Sequence, residues 1–176
     1  MVMSIEAAVI GGLIGGAAMI AVLYLMIWMM PAQMKMNLLL LLGTMVVPVG
    51  ATAYVVGLMM HGMMSVAFGL IHGGILEASG VESVGAGIGI GVLFGFVHAP
   101  IVGVVFGMML LLHPRMRPLH GKLLPAMAAL SPAPDKELLD PPGFFGLNYP
   151  PLTVMGFFML HIMFGIIVGA TYGGLA

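Results

Sequence analysis

Leu58-Met59-Met60-His61-Gly62-Met63-Met64-Ser65, running on through Gly69 to Gly73-Gly74, returns one hundred residues later as Phe158-Met159-Leu160-His161-Ile162-Met163-Phe164-Gly165, running on through Gly169 to Gly173-Gly174. Both stretches obey Met-x-His-x-Met-x-small-x3-Gly-x3-Gly-Gly. Small residues at every fourth position mark one face of a helix. Each copy carries a histidine at the same place in its apolar run, His61 and His161. A doubled helix folds the same way twice, so the two imidazoles are expected at matched depth.

The setting for these helices is lipid. The chain is 61% hydrophobic and only 6% charged, with a mean hydropathy of +1.20, where a soluble domain carries about 25% charged residues. Crossing the hydrocarbon core takes about 20 apolar residues. Four stretches qualify: 7–30, 51–78, 85–112 and 152–175. The apolar run 37–47 is too short to span and is followed by Pro48. It reads as an interfacial or re-entrant segment. The first span lacks the basic leader of a signal peptide and is expected to be retained. The net charge of −1 offers no basic field for nucleic acid, and the absence of cysteine removes disulfide, iron–sulfur and thiol chemistry.

The remaining hydrophilic piece, 113–151, holds seven prolines between Pro114 and Pro142 and two more at Pro150 and Pro151. Proline at this density opposes long helices. A surface loop is expected, with one short helix near 121–130 and with His113 and His120 solvated. All five basic residues, Lys35, Arg115, Arg117, Lys122 and Lys136, fall in loops 31–50 and 113–151. The positive-inside rule puts these loops in the cytoplasm and both termini outside, in the plasma membrane of a prokaryote. The outer side then holds Glu6, Glu77 and Glu82. No carboxylate is expected inside a span, and no nucleophile–base–acid order appears, so the chain is not expected to be an enzyme on its own.

The duplication reaches the other two spans. Aligning Met30-Pro31 with His113-Pro114 places Gly12 on Gly95 and Gly16 on Ala99. The expected fold is therefore an all-α membrane protein of four transmembrane helices, a single domain of two tandem hairpin repeats (about 7–80 and 85–176). A pseudo-twofold axis along the bilayer normal relates them. Small-x3-small ladders run through Gly87, Gly91, Gly95, Ala99, Gly103 and Gly107, and continue the histidine faces as Ser65, Gly69, Gly73 and Gly165, Gly169, Gly173. Such faces let helix backbones meet in lipid. They would serve packing within the bundle, another membrane subunit or a homodimer.

His61 and His161 each lie twelve residues before the glycine that closes their ladder, roughly 18 Å along the helix. His98, thirteen residues into the third span, reaches a similar depth. An ionisable side chain at that depth is a functional hypothesis by default. Cofactor candidates are haem b on His61 and His161, copper or zinc held by His61, His161 and His98, or a pigment or quinone bound through one imidazole. His72 and Met64 are weaker ligand candidates. The competing reading is that each histidine bonds a carbonyl or a nearby hydroxyl and fixes helix register. His72 and its repeat partner Tyr172 suit an interfacial position. Among the twenty methionines, Met155, Met159 and Met163 form a stripe of their own off the His161 face, which reads as packing.

The run Met34-Lys35-Met36 to Leu42-Gly43-Thr44-Met45, then His61, Gly91-x3-Gly95-x2-His98, His113-Pro114 and His161-x3-Gly165-x3-Gly169-x2-Tyr172, resembles a family of small four-helix prokaryotic integral membrane proteins with intramembrane histidines. The family is uncharacterised. The resemblance implies four spans, marks His61, His98 and His161 as pattern positions, and implies no activity. Two functions follow as expectations: a membrane cofactor-binding protein, within a larger redox complex, or an accessory subunit with no cofactor of its own.

Overall fold

The computed structural model describes residues 3–116 and 138–176. Four helices are long and apolar enough to cross a membrane: α1 (Ile5–Met29), α3 (Ala51–Ala78), α4 (Val84–Leu112) and α5 (Pro151–Leu175). A six-residue helix, α2 (Leu38–Gly43), fills the short apolar run between the first two. The span boundaries lie within two residues of those read from hydropathy. His120 and the short helix expected near 121–130 lie outside the described residues.

Local chemistry sets the helix ends. The Ser4 side chain accepts from the Ala7 N–H at the start of α1, and Ser83 accepts from Ala86 at the start of α4, each satisfying a donor that a first turn leaves open. Pro151 occupies the first position of α5, where its missing N–H costs nothing. Asn37 caps α2 by accepting from Leu40 N (3.2 Å), and it also accepts from the Tyr24 hydroxyl of α1 (2.7 Å) and donates to the Tyr54 hydroxyl of α3 (2.8 Å). One amide thus ties α2 to the two helices it lies between.

Around the bundle, α1 packs on α3 and α5, and α5 packs on α4. The fourth seam, α3 against α4, is much the loosest, and α1 and α4 lie diagonally apart. The tightest seam, α4/α5, runs on glycine. A methyl group on Gly87, Gly91, Gly165 or Gly169 would strike the backbone carbonyl of the glycine facing it. A twofold axis exchanging the two hairpins would carry seam α1/α5 onto seam α4/α3. Those seams differ: Gly11 and Gly15 admit Val168 and Phe164 on one, whereas rings hold the helices apart on the other.

The glycine ladders are consumed inside the chain. Gly12 and Gly69 meet each other, and Gly103 and Gly107 receive the rings of Phe145 and Phe144 from the 3-10 turn Phe144–Gly146. The outer faces carry exposed apolar side chains such as Trp28, Leu93, Phe96 and Leu111.

Two groups expected at the water interface are buried. His113 is 4% exposed. Its Nδ1 accepts from Arg115 N (3.0 Å) and its Nε2–H donates to the Leu41 carbonyl (2.9 Å), while Arg115 Nη1 donates to Thr44 O (2.6 Å). The segment after α4 therefore clasps α2 instead of standing in solvent, because the open carbonyls at the end of α2 need donors. Tyr172 is fully buried; its hydroxyl accepts from Ser4 N (3.1 Å) and donates to Glu77 Oε2 (2.8 Å). Glu77 lies in the last turn of α3, so one carboxylate does sit inside a span, at its end. At the neck of the proline-rich segment, Leu139 N donates to Arg115 O (2.8 Å), and Met116 bridges to Leu139.

Candidate functional site

Four histidines from α3, α4 and α5 point into the bundle. His61, His72, His98 and His161 are each between 2% and 8% exposed. His161 has its ring centre 4.9 Å from that of His98, and His98 has its centre 5.4 Å from that of His72, with the planes near perpendicular in both pairs. Three imidazoles on three helices thus form one row. His72 was expected at the interface. It is instead enclosed by Phe94 (5.1 Å), Phe164 (5.4 Å) and His98, because α3 turns this residue toward the α4 seam.

The hydrogen bonds divide the four into two classes. His61 Nε2 donates to the Gly16 carbonyl of α1 (3.0 Å), and His161 Nδ1 donates to the Phe157 carbonyl of its own helix (2.7 Å). A carbonyl only accepts, so these contacts fix the tautomers. They leave a lone pair on His61 Nδ1 and on His161 Nε2. Ser65 does not contact the imidazole of His61; its hydroxyl donates to the His61 carbonyl (2.7 Å). Among the described residues, His72 and His98 have no hydrogen-bond partner at either ring nitrogen. Leaving a buried polar group unpaired costs about 1–3 kcal/mol, so these two rings are the least satisfied chemistry in the core.

Beside the row lies a cavity of about 70 Å³ lined by His61, His98, His161, Met19, Met64 and Ser65. The rings of Phe68, Phe106 and Phe164 and the α2 residues Leu38 and Leu42 complete a largely apolar wall. The site residues named from the sequence, His61, His98 and His161, therefore face one space, and Met64 joins them. Met19 was not foreseen. Its signal was present: it follows Gly16 by three residues, on the α1 face that packs against His61. The other methionines flanking the histidines, Met59, Met63, Met155 and Met159, are 56–72% exposed on the outer surface. Among the described residues, no three His, Cys, Asp or Glu side chains stand close enough together to hold a metal ion. Any ion here would rest on a pair of imidazoles and thioether sulfur.

Pro100, two residues past His98, lies inside α4. It cannot supply the N–H that would bond the carbonyl four residues back, which loosens the helix beside His98.

No family model, curated protein or solved structure matches this chain. The functional reading therefore rests on the site alone.

Proposed function

We propose that this chain is a small integral membrane protein that binds a single monovalent copper ion in the middle of its bundle, through His98 and His161 with Met19, Met64 and His61 around them. The observation that carries the reading is His98: a ring 6% exposed that lines the cavity, with both nitrogens enclosed and without a hydrogen-bond partner among the described residues. Two coordinated imidazoles, each nitrogen about 2.0–2.1 Å from its ion, have ring centres roughly 5–6 Å apart, close to the 4.9 Å seen for His98 and His161. The carbonyl bond at Nδ1 of His161 leaves the lone pair on Nε2, the tautomer a coordinating imidazole needs, which supports the reading.

Charge and softness choose the ion. The cost of burying a charge rises with its square, and the cavity lining contains no carboxylate to offset it. A monovalent ion suits such a wall better than zinc or another divalent metal. Thioether ligands such as Met19 and Met64 favour Cu(I).

Haem b fits less well. Pockets for drug-sized ligands run to about 300–1,000 Å³, several times this cavity, and the Nε2 of His61 is engaged by Gly16. The accessory-subunit reading is favoured by the carbonyl bonds of His61 and His161, which do fix register, but it leaves His72 and His98 unexplained. The positive-inside distribution supports a prokaryotic plasma membrane with both termini outside.

The protein purified in mild detergent and loaded with Cu(I) is expected to retain about one copper per chain, with no Soret band, and to lose it in His98→Phe and His161→Ala. A Soret band abolished by His61→Ala and His161→Ala would transfer the site to haem. Failure to retain copper against a weak chelator would end the metal reading.

A further inference from the structure

Away from the histidines, a second cavity of about 190 Å³ opens where the helices end. It lies between the α1–α2 connection and the chain that enters α5, past Met29 and ahead of Pro151. Lys35, Asn37, Asp140 and Tyr149 line it, and much of the remaining wall is apolar, with Leu40 and Leu41 of α2. A cation, an anion and an aliphatic surface thus share one space at the level where a bilayer changes from headgroup to acyl chain.

The backbone around this space is held from several sides. Met34 and Met36 are buried on either side of the exposed Lys35, and Lys35 N donates to Thr153 Oγ1 of α5 (3.3 Å). Asn37 is fixed by its bonds to Leu40, Tyr24 and Tyr54. A side-chain amide carries two hydrogens, and the bond to Tyr54 uses one. The Tyr149 hydroxyl donates to the Asp140 carbonyl (2.7 Å). Burial, and then the Asp140 charge, pushes the Tyr149 phenol up to about 12, so it keeps its proton.

The charges select the ligand. A purely anionic group would meet Asp140, and a purely cationic one would meet Lys35. A group carrying both charges satisfies both. Basic pockets at the membrane boundary are suited to lipid headgroups, and the headgroup that joins a phosphate to an N–H-bearing cation is phosphoethanolamine. Choline has no N–H to give a carboxylate.

We propose that this cavity binds the headgroup of a phosphoethanolamine lipid, its phosphate against Lys35 and Asn37, its ammonium against Asp140, and its glycerol end along the apolar wall of α2. The proposal is independent of the copper reading. The bound lipid would join α2, the α1–α2 connection and the neck of the proline-rich segment, and so would stabilise the fold as any ligand of the native state does.

The whole chain, stripped of lipid in detergent, is titrated with short-chain phosphoethanolamine, phosphocholine and phosphoglycerol lipids and with soluble phosphoethanolamine, and bound lipid is counted by native mass spectrometry. About one phosphoethanolamine lipid per chain is expected, held several-fold more tightly than the other lipids, with an unfolding midpoint that rises with its concentration. Lys35→Gln is expected to weaken its binding about fivefold, the usual contribution of one basic residue at a lipid surface, and Lys35→Arg to restore it. Asp140→Asn is expected to bring phosphoethanolamine down to the level of phosphocholine. Lys35 and Asp140 are both exposed, so the lipid-free unfolding midpoint of each variant is expected to match that of the native chain, and copper retention is expected to be unchanged. Equal binding of the three lipids, or native affinity in Lys35→Gln and Asp140→Asn, would overturn the headgroup site. Soluble phosphoethanolamine held as tightly as the lipid would overturn the lipid assignment in favour of a soluble ligand.

Discussion

Seam α4/α5 and seam α3/α4 share a helix and have opposite characters. On the first, Gly87 and Gly91 meet Gly169 and Gly165 so closely that each backbone leaves no room for a methyl group on the other. On the second, Phe68, His72, Phe94 and His98 stand between the helices, and the nitrogens of the two histidines find no hydrogen-bond partner among the described residues. In lipid, where apolar burial gives helices little reason to associate, close backbone packing supplies the adhesion. The glycine seam provides that adhesion, and the ring seam is free to hold groups that are poor for stability. The same helix α4 presents Gly91 and Gly95 to one neighbour and Phe94 and His98 to the other.

The largest effect belongs to the glycine seam. Gly91→Leu drives a side chain against the backbone of α5, which has no flexible end to yield. Its penalty is expected at or above the roughly 3 kcal/mol upper range of core overpacking, read as a large drop in the thermal unfolding midpoint in detergent. A midpoint within a few degrees of the native value would remove the claim that this seam carries the fold.

Next comes a difference in sign between two histidines. In the metal-free protein His98→Phe removes two unpaired nitrogens and is expected to leave stability unchanged or raise it by about 1 kcal/mol. His61→Phe removes the hydrogen bond that ties α3 to the Gly16 carbonyl of α1 and is expected to lower stability by about 1 kcal/mol. Parallel unfolding of the two variants checks this, and equal losses would erase the distinction between paired and unpaired imidazoles.

The smallest effect comes from a histidine outside both seams. Burial pushes the His113 imidazole below the usual histidine range; the Leu41 carbonyl opposes that shift and the Arg115 charge adds to it. A folded-state pKa below the unfolded value of about 6.5 means that the unfolded chain binds the proton more readily. The stabilising contribution is therefore present above about pH 6.5 and declines as pH falls from there toward the folded-state pKa. Unfolding followed from pH 8 to pH 5 is expected to show a shallower slope in His113→Asn than in the native chain; identical slopes would mean that His113 titrates as if exposed.

The spans were legible because hydropathy over 25 residues or more leaves little choice, and the small-residue ladders that continue His61 and His161 already turned both toward the bundle, where with His98 they line one cavity. Which ladder meets which was not legible: a small-x3-small face names a surface and not its occupant. Nor was the burial of His72 and His113. Both lie near helix ends, where sequence distance suggests water, yet neighbouring chain folds over them, α4 over His72 and α2 over His113. Met19 was hidden for a related reason, since its role depends on the approach of α3 to α1 at Gly16. The two histidine copies also diverge where pattern alone makes them equal: Gly16 of another helix receives His61, while Phe157 of the same helix receives His161.

The pairing of Arg115 and Met116 with Leu139 brings the two ends of the proline-rich stretch to a single point. Loop length enters the closure cost only logarithmically, so holding these two ends together costs little more for a long connection than for a short one.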